Sequence, residues 1–285
     1  MSAMGEVPEE NDCPCVSVVT VVRNAETVVS ETIESVLEQD YPAVEHVVVD
    51  GASTDQTWDK VQEYAHAIDT AVSEPDDGIY DAMNKGAALS TGEWIIYMNA
   101  GDTFASSRVL SDLREELAGE ADVILGGVEE VLIDRYETRR FRQFPEGIDA
   151  LWKRMPTSHQ SVLVRREHVL ECPFDTDYRW CADQDQLLRL QAAGKTFRKV
   201  DTIISVFDCQ SDQARGDDLY IWERWRLSKG HASFMKRCLR FGQEWIHSNV
   251  WGPIVSGIRE LLPESWILRI RRLRGTAGTR QLENN

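Results

Sequence analysis

Chemistry-bearing residues gather where apolar runs stop. Arg23 and Asn24 follow the run Val16–Val22, Asp50 follows Glu45–Val49, and Asp102 closes Asn99-Ala100-Gly101-Asp102 directly after Glu93–Met98. A further aspartate, Asp77, opens the pair Asp77-Gly78. Carboxylates in such a set suit a ligand rich in hydroxyls and phosphate. Some accept hydrogen bonds from a base or a ribose, and one or two hold a hard cation such as Mg²⁺ or Mn²⁺, whose shell is completed by water and phosphate oxygens. A nucleotide sugar presents that combination of groups. Taken singly, each residue has a plainer reading, since an aspartate after a strand caps a turn or helix and Asp-Gly is a common turn pair.

The elements around these residues bring them together. Val16–Val22 is an unbroken β-branched run, the pattern of a strand buried on both faces. Glu26 to Gln39 reads as a helix with Val29, Ile33, Val36 and Leu37 on one side. Tyr41-Pro42 ends it, and Glu45–Val49 is a second strand. Strand, helix, strand is a βαβ unit, and parallel sheets bind ligands at the carboxyl ends of their strands. The alternation continues with a helix over 57–67, a strand over 68–72, a helix over 81–90, a strand over 93–98 and a helix over 107–118. The expected fold class is therefore α/β, with a mostly parallel, Rossmann-like central sheet flanked by helices.

Beyond Ala121 the pattern is less regular. Val123–Gly127 and Val128–Tyr136 read as strands of a hairpin, and Ser161–Val164 as a short strand before a helix near Arg166. Ala182–Ala193 reads as a helix stopped by Gly194, and Lys199–Phe207 as a closing strand. From Leu219 onward the chain reads as helical and carries Trp222, Trp225, Trp245, Trp251 and Trp266.

Bulk properties narrow the function classes. With 42% hydrophobic and 28% charged residues, the 285-residue chain can bury a full core without staples. A net charge of −17 argues against nucleic-acid binding. The charge is uneven: residues 219–285 hold 12 Lys and Arg against 5 Asp and Glu. That basic tail, including Trp251–Arg274, suits a peripheral contact with an anionic membrane surface or a homodimer contact. Six scattered cysteines, with Cys13 and Cys15 as the one close pair, lack zinc-site spacing. The expectation is a cytoplasmic protein with reduced thiols, peripheral on the inner face of the cell membrane if the tail binds lipid. No Gly-x-Ser-x-Gly elbow supports a hydrolase, and no Gly-rich fingerprint after the first strand supports a dehydrogenase.

Four ordered segments together resemble the motifs of family 2 glycosyltransferases, which have the GT-A fold: Val16–Asn24, Val47–Asp55, Asp77–Gly86 and Trp94–Asp102. The resemblance resumes at His159-Gln160 and Ala182-Asp-Gln-Asp185, and the third segment is similar to bacterial enzymes that build exopolysaccharide, O-antigen or colanic-acid-like units. It implies an inverting transfer from a UDP-, GDP- or dTDP-sugar to a glycan or lipid-linked acceptor in cell-surface polysaccharide biosynthesis. It further implies that Asp50 contacts the nucleobase, that Arg23, Asn24, Asp77, Asn84 and Lys85 meet the donor, and that Asp102 holds the divalent metal. Asp183 would be the base that deprotonates the acceptor hydroxyl; Asp185, two residues on, points to a different helix face. Asn99, His159 and Gln160 would lie near the donor, metal or acceptor. The sequence departs from the pattern at Gly51, where a second Asp is usual, and at Asn99 and Gly101, where the metal motif usually has another carboxylate.

The implied organisation is an N-terminal tail over 1–15, a GT-A domain over 16–210 and a helical, Trp- and Arg-rich extension over 211–285. The domain would divide into a nucleotide-binding half at about 16–110 and an acceptor half at about 111–210. Two alternatives stand beside the transferase. A sugar nucleotidyltransferase would carry a Gly-rich, basic loop where Arg23-Asn-Ala-Glu26 stands. A catalytically weakened glycan-binding protein of the same fold would account for Asn99 and Gly101.

Overall fold

A computed structural model describes residues 13–133, 138–208, 218–229, 238, 240–242 and 245. The expectations for the tail, Trp251–Arg274 included, lie outside the described residues, as does most of the extension.

One nine-stranded sheet organises the chain, in the order β3-β2-β1-β4-β8-β6-β9-β5, with β7 added on β6. Its strands are β1 (Val16–Val22), β2 (Val44–Asp50), β3 (Thr70–Ser73), β4 (Trp94–Tyr97), β5 (Thr103–Phe104), β6 (Val123–Ile133), β7 (Thr138–Gln143), β8 (Val162–Arg165) and β9 (Phe197–Asp208). β1 to β4 pair in parallel, β8 turns antiparallel between β4 and β6, and β9 runs parallel to β6. The fold is thus an α/β fold with a mixed sheet in which most strands share one direction. Register lines up Val22, Asp50 and Ser73 across three neighbouring strands, so the loops after β1, β2 and β3 open at one edge.

The helices are α1 (Val29–Leu37), α2 (Thr57–Glu63), α3 (Ile79–Leu89), α4 (Val109–Asp112), α5 (Arg114–Leu117), α6 (Arg166–Glu171), α7 (Ala182–Ala192) and α8 (Asp218–Leu227). All seven residues of β1 are buried, as its continuous β-branched run requires. Val19 and Val21 face a cluster with Met83, Ala87, Leu187 and Leu190, whereas Val16 and Val18 face Trp94, Leu110 and Leu117. Each such side chain contributes about 1.5–3 kcal/mol when taken out of water. Gly86 lets α3 lie directly on β1, because a Cβ there would meet Val19 Cγ1 at 2.3 Å.

Two expectations about local structure need correction. The Gly126-Gly127 pair is a bulge inside β6 and not a hairpin turn, with the register to β9 shifting on both sides of Gly127. Added Cβ atoms would strike Ile204 Cδ1 at 2.2 Å and Ile203 Cδ1 at 2.7 Å, so the glycines are spent on close strand approach. The hairpin partner of β6 is β7. The helix expected over 107–118 is two short pieces, α4 and α5, that meet at Leu113.

Candidate active site

The first two loops are tied by short polar side chains. Asn24 takes a positive φ of 50°; its Oδ1 accepts from the Thr54 N–H at 2.8 Å and its own N–H donates to Ser53 Oγ. Asp50 is fully buried. Its carboxylate accepts from the Ser53 N–H at 3.1 Å, from the Ser53 hydroxyl, and from the Ser73 hydroxyl at 2.6 Å. Asp50 therefore shapes the floor of this edge and joins β2 to β3.

The carboxylate that packs against this loop pair belongs to a residue the sequence reading passed over. Asp76, its side chain only 5% exposed, stands 3.5 Å from Arg23 Nη1 and accepts from the Gly78 N–H at 3.0 Å. A Cβ on Gly51 would meet its Oδ2 at 2.0 Å. The place where a side chain at position 51 would begin is filled by Asp76. Asp77, the residue singled out from the sequence, is exposed, and its N–H donates to Asp81 at 3.1 Å. The available signal was the absence of a side chain at Gly51 with two adjacent aspartates after β3.

On α3, two further candidates are committed to protein partners. Asn84 forms a two-way amide pair with the Phe174 backbone, both bonds at 2.9 Å, and so locks α3 to the loop before α7. Lys85 Nζ is held by Asp81 at 3.1 Å, Glu74 at 3.2 Å and the Pro75 carbonyl at 2.8 Å. Lys85 thereby ties α3 to the loop that carries Asp76.

The loop after β4 puts Asp102 and Asn99 in a buried position, 6% and 8% exposed. Burial pushes the Asp102 carboxyl up to about 7, against hydrogen bonds from the Gln160 side chain and the Asn99 backbone. Gln160 is itself 1% exposed, on the short 3₁₀ turn His159–Ser161. Asn99 Nδ2 lies 2.9 Å from His159 Nε2, while Asn99 Oδ1 is buried without a protein partner. A buried carboxylate beside an orphaned amide oxygen fits a hard oxygen-seeking cation. Among the described residues no group of three or more His, Cys, Asp or Glu stands together as a cation shell. Such a cation would take Asp102 and Asn99 from the protein and the rest of its shell from phosphate and water.

His159 joins this loop to α7, with Nδ1 3.9 Å from Asp183 Oδ2. Burial lowers the imidazole to about 4, so it is neutral at pH 7 and the pair is no salt bridge then. Asp183 sits in the first turn of α7 with its side chain 17% exposed. Its Oδ1 accepts from the Gln184 N–H at 2.7 Å, and the Tyr80 hydroxyl lies near enough to favour the charged carboxylate. Burial is the largest influence and raises the Asp183 carboxyl to about 6; those contacts hold it down, and the nearby Glu223 charge adds to the rise. A carboxylate poised just below neutral pH suits general-base work. Asp185 instead pairs with Arg189 Nε at 2.6 Å, one turn on. Tyr97, Phe174 and Leu187 close the space behind Asp183 and leave a cavity of about 20 Å³. No sugar fits there, so a substrate hydroxyl must reach Asp183 from its open side.

Tyr80 is a second residue that the sequence reading missed; only its place within Asp77–Gly86 could have pointed to it. The site thus gathers Arg23 and Asp76 over the buried Asp50 at one loop edge, a buried carboxyl at Asp102, and a raised carboxyl at Asp183 that His159 and Asn99 connect to the Asp102 loop.

Similarity to known proteins agrees with this geometry. The family model for glycosyl transferase family 2 matches residues 17–181. The PGL/p-HBAD biosynthesis glycosyltransferase of Mycobacterium tuberculosis is 28% identical over 186 residues, 62% of this chain and 69% of that protein. An uncharacterized glycosyltransferase of the same species is 34% identical over 185 residues, 62% of this chain and 68% of its own length. Staphylococcus aureus TarS 1–349 in complex with UDP superposes with a TM-score of 0.57 at 16% identity, covering 82% of this chain and 71% of TarS 1–349. The mannosyltransferase PcManGT of Pyrobaculum calidifontis, in complex with GDP-Man and Mn²⁺, gives 0.58 at 16% identity, covering 98% and 85%. These structures establish the GT-A-like fold. With the family match spanning more than half of the chain, the protein belongs to glycosyl transferase family 2 and is a glycosyltransferase.

Proposed function

We propose that this enzyme is an inverting transferase that moves a sugar from a UDP-, GDP- or dTDP-sugar to a glycan or lipid-linked acceptor during cell-surface polysaccharide biosynthesis. The observation that carries the reading is the placement of Asp183, a raised carboxyl 17% exposed, near Tyr80 and joined through His159 to the Asp102 loop. The relatives support the setting, since one is named for PGL/p-HBAD biosynthesis, and bound UDP and GDP-Man in two structural neighbours support the donor class.

In this reading the nucleotide half, about 16–110, takes the donor, and the half over about 111–210 presents the acceptor. Arg23 and Asp76 meet the nucleoside, over the floor that the buried Asp50 sets. Asp102 and Asn99 face the diphosphate and would hold Mn²⁺ or Mg²⁺, which supplies positive charge to offset the leaving diphosphate. Asp183 accepts the proton of the acceptor hydroxyl as that oxygen bonds to the anomeric carbon. The bond from the anomeric carbon to the diphosphate breaks in the same event, and the nucleoside diphosphate leaves with its electron pair. Attack opposite the departing group inverts the anomeric centre.

Titration calorimetry with UDP-, GDP- and dTDP-sugars, each with and without Mn²⁺, tests the donor side. One nucleotide series is expected to bind, more tightly with Mn²⁺ than without. Absence of heat with every donor would remove the reading.

A further inference from the structure

We infer that Glu223 of α8 is a positioning residue for Asp183, setting the place of the base through the backbone at which α7 begins. The inference rests on Asp183 being the base. Glu223 is 1% exposed, and its carboxylate is filled by three successive backbone donors: Arg179 N–H at 2.7 Å on one oxygen, and Trp180 N–H at 2.9 Å and Cys181 N–H at 3.1 Å on the other. Cys181 is the residue from which α7 starts. The Cys181 N–H stands at the helix start, where N–H groups lack intrahelical partners and negative charge is favoured. Here that charge comes from a different helix, about forty residues further along the chain.

The rest of α8 keeps this carboxylate in place. Ile221 and Leu227 are buried, and Leu227 belongs to the same cluster as Tyr178, Cys181, Ala182 and Leu187. The Arg226 guanidinium stacks 4.7 Å from the centre of the Tyr178 ring, and Arg224 donates to the Lys153 carbonyl. Tyr80, from the nucleotide half, packs in the same cluster as Cys181 and Ala182, and Glu223 holds the backbone before Asp183 from the helix that follows the sheet. Asp183 is therefore fixed between two parts of the chain, neither of which is its own helix. The groups facing it are Tyr80, His159, Cys181 and Glu223. An amide at position 223 would turn an N–H pair toward backbone N–H donors, whereas an aspartate keeps the charge but falls one methylene short.

The test compares the full-length protein with the variants Glu223→Gln, Glu223→Asp and Asp183→Asn, measuring kcat, donor Kd by calorimetry and the pH dependence of kcat/KM. Glu223→Gln is expected to lose ~100-fold in kcat, the scale of a base moved by about an ångström, with donor Kd within ~3-fold of the parent. Its acidic limb moves to lower pH, because a negative neighbour of Asp183 is gone. Glu223→Asp recovers part of kcat. Normal turnover in Glu223→Gln beside an inactive Asp183→Asn overturns the role of Glu223 alone. Normal turnover in Asp183→Asn overturns the base reading, and this inference with it. Loss of cooperative melting or of donor binding in both Glu223 variants makes the residue merely structural and also overturns the inference.

Discussion

The Asp76 carboxylate occupies the space directly over Gly51, so close that a Cβ on Gly51 would stand 2.0 Å from Asp76 Oδ2. The loop after β3 thus places a carboxylate directly over position 51. The loop accepts it because Arg23 and the Gly78 N–H also hold Asp76. Asp76→Asn is expected to weaken donor binding about 10-fold, roughly 1.4 kcal/mol. Gly51→Ala should do the same by pushing Asp76 aside, with little change in melting temperature, since the displaced atom ends a movable side chain. Calorimetry and thermal denaturation check both, and unchanged donor affinity in Asp76→Asn contradicts the assignment.

The Tyr80 hydroxyl favours the charged form of Asp183, so its removal must raise that carboxyl above about 6. A base is active when deprotonated; in Tyr80→Phe the acidic limb of kcat/KM should therefore move to higher pH, with activity recovering on the alkaline side. The ring stays packed 5.4 Å from Phe174, which keeps the fold. A uniform loss at every pH, with the limb unmoved, would show that Tyr80 does not act on the base.

Gly86 is where α3 touches β1, and the neighbour that a methyl would strike is Val19, fully buried and stiff at its branched carbon. Gly86→Ala gains about 1 kcal/mol of helix propensity but overpacks the site by about 1–3 kcal/mol. The net expectation is a loss of up to about 2 kcal/mol, visible as a melting temperature up to a few degrees lower. A variant that melts at or above the parent temperature would mean that α3 and β1 separate easily.

The parallel half of the sheet was legible in the sequence because β1, β2 and β4 are apolar runs that end in polar loops. β7 was not legible, since Thr138–Gln143 is rich in arginine and lies at an edge, where burial leaves no alternating pattern. The Gly126-Gly127 bulge could not be told from a turn, because close approach to Ile203 and Ile204 exists only after β9 has paired. At the site, Asp102 and Asp183 carried motif context that singled them out. Asp76, Tyr80 and Glu223 act through contacts between distant segments, and nothing in their local spacing distinguishes them from surface, core or helix-face residues. Likewise the bracing of the loops that carry Phe174 and Asp76 by Asn84 and Lys85 exists only once those loops are brought together.

The central claim is that Asp183 acts on the acceptor and not on the donor. The most direct measurement is a paired one on Asp183→Asn: sugar transfer to acceptor under saturating donor, and donor affinity by calorimetry. The geometry predicts transfer reduced at least ~10²–10⁴-fold, the range of general-base catalysis, with donor Kd within ~3-fold of the parent. Transfer at the parent rate, or donor binding lost together with transfer, would contradict it.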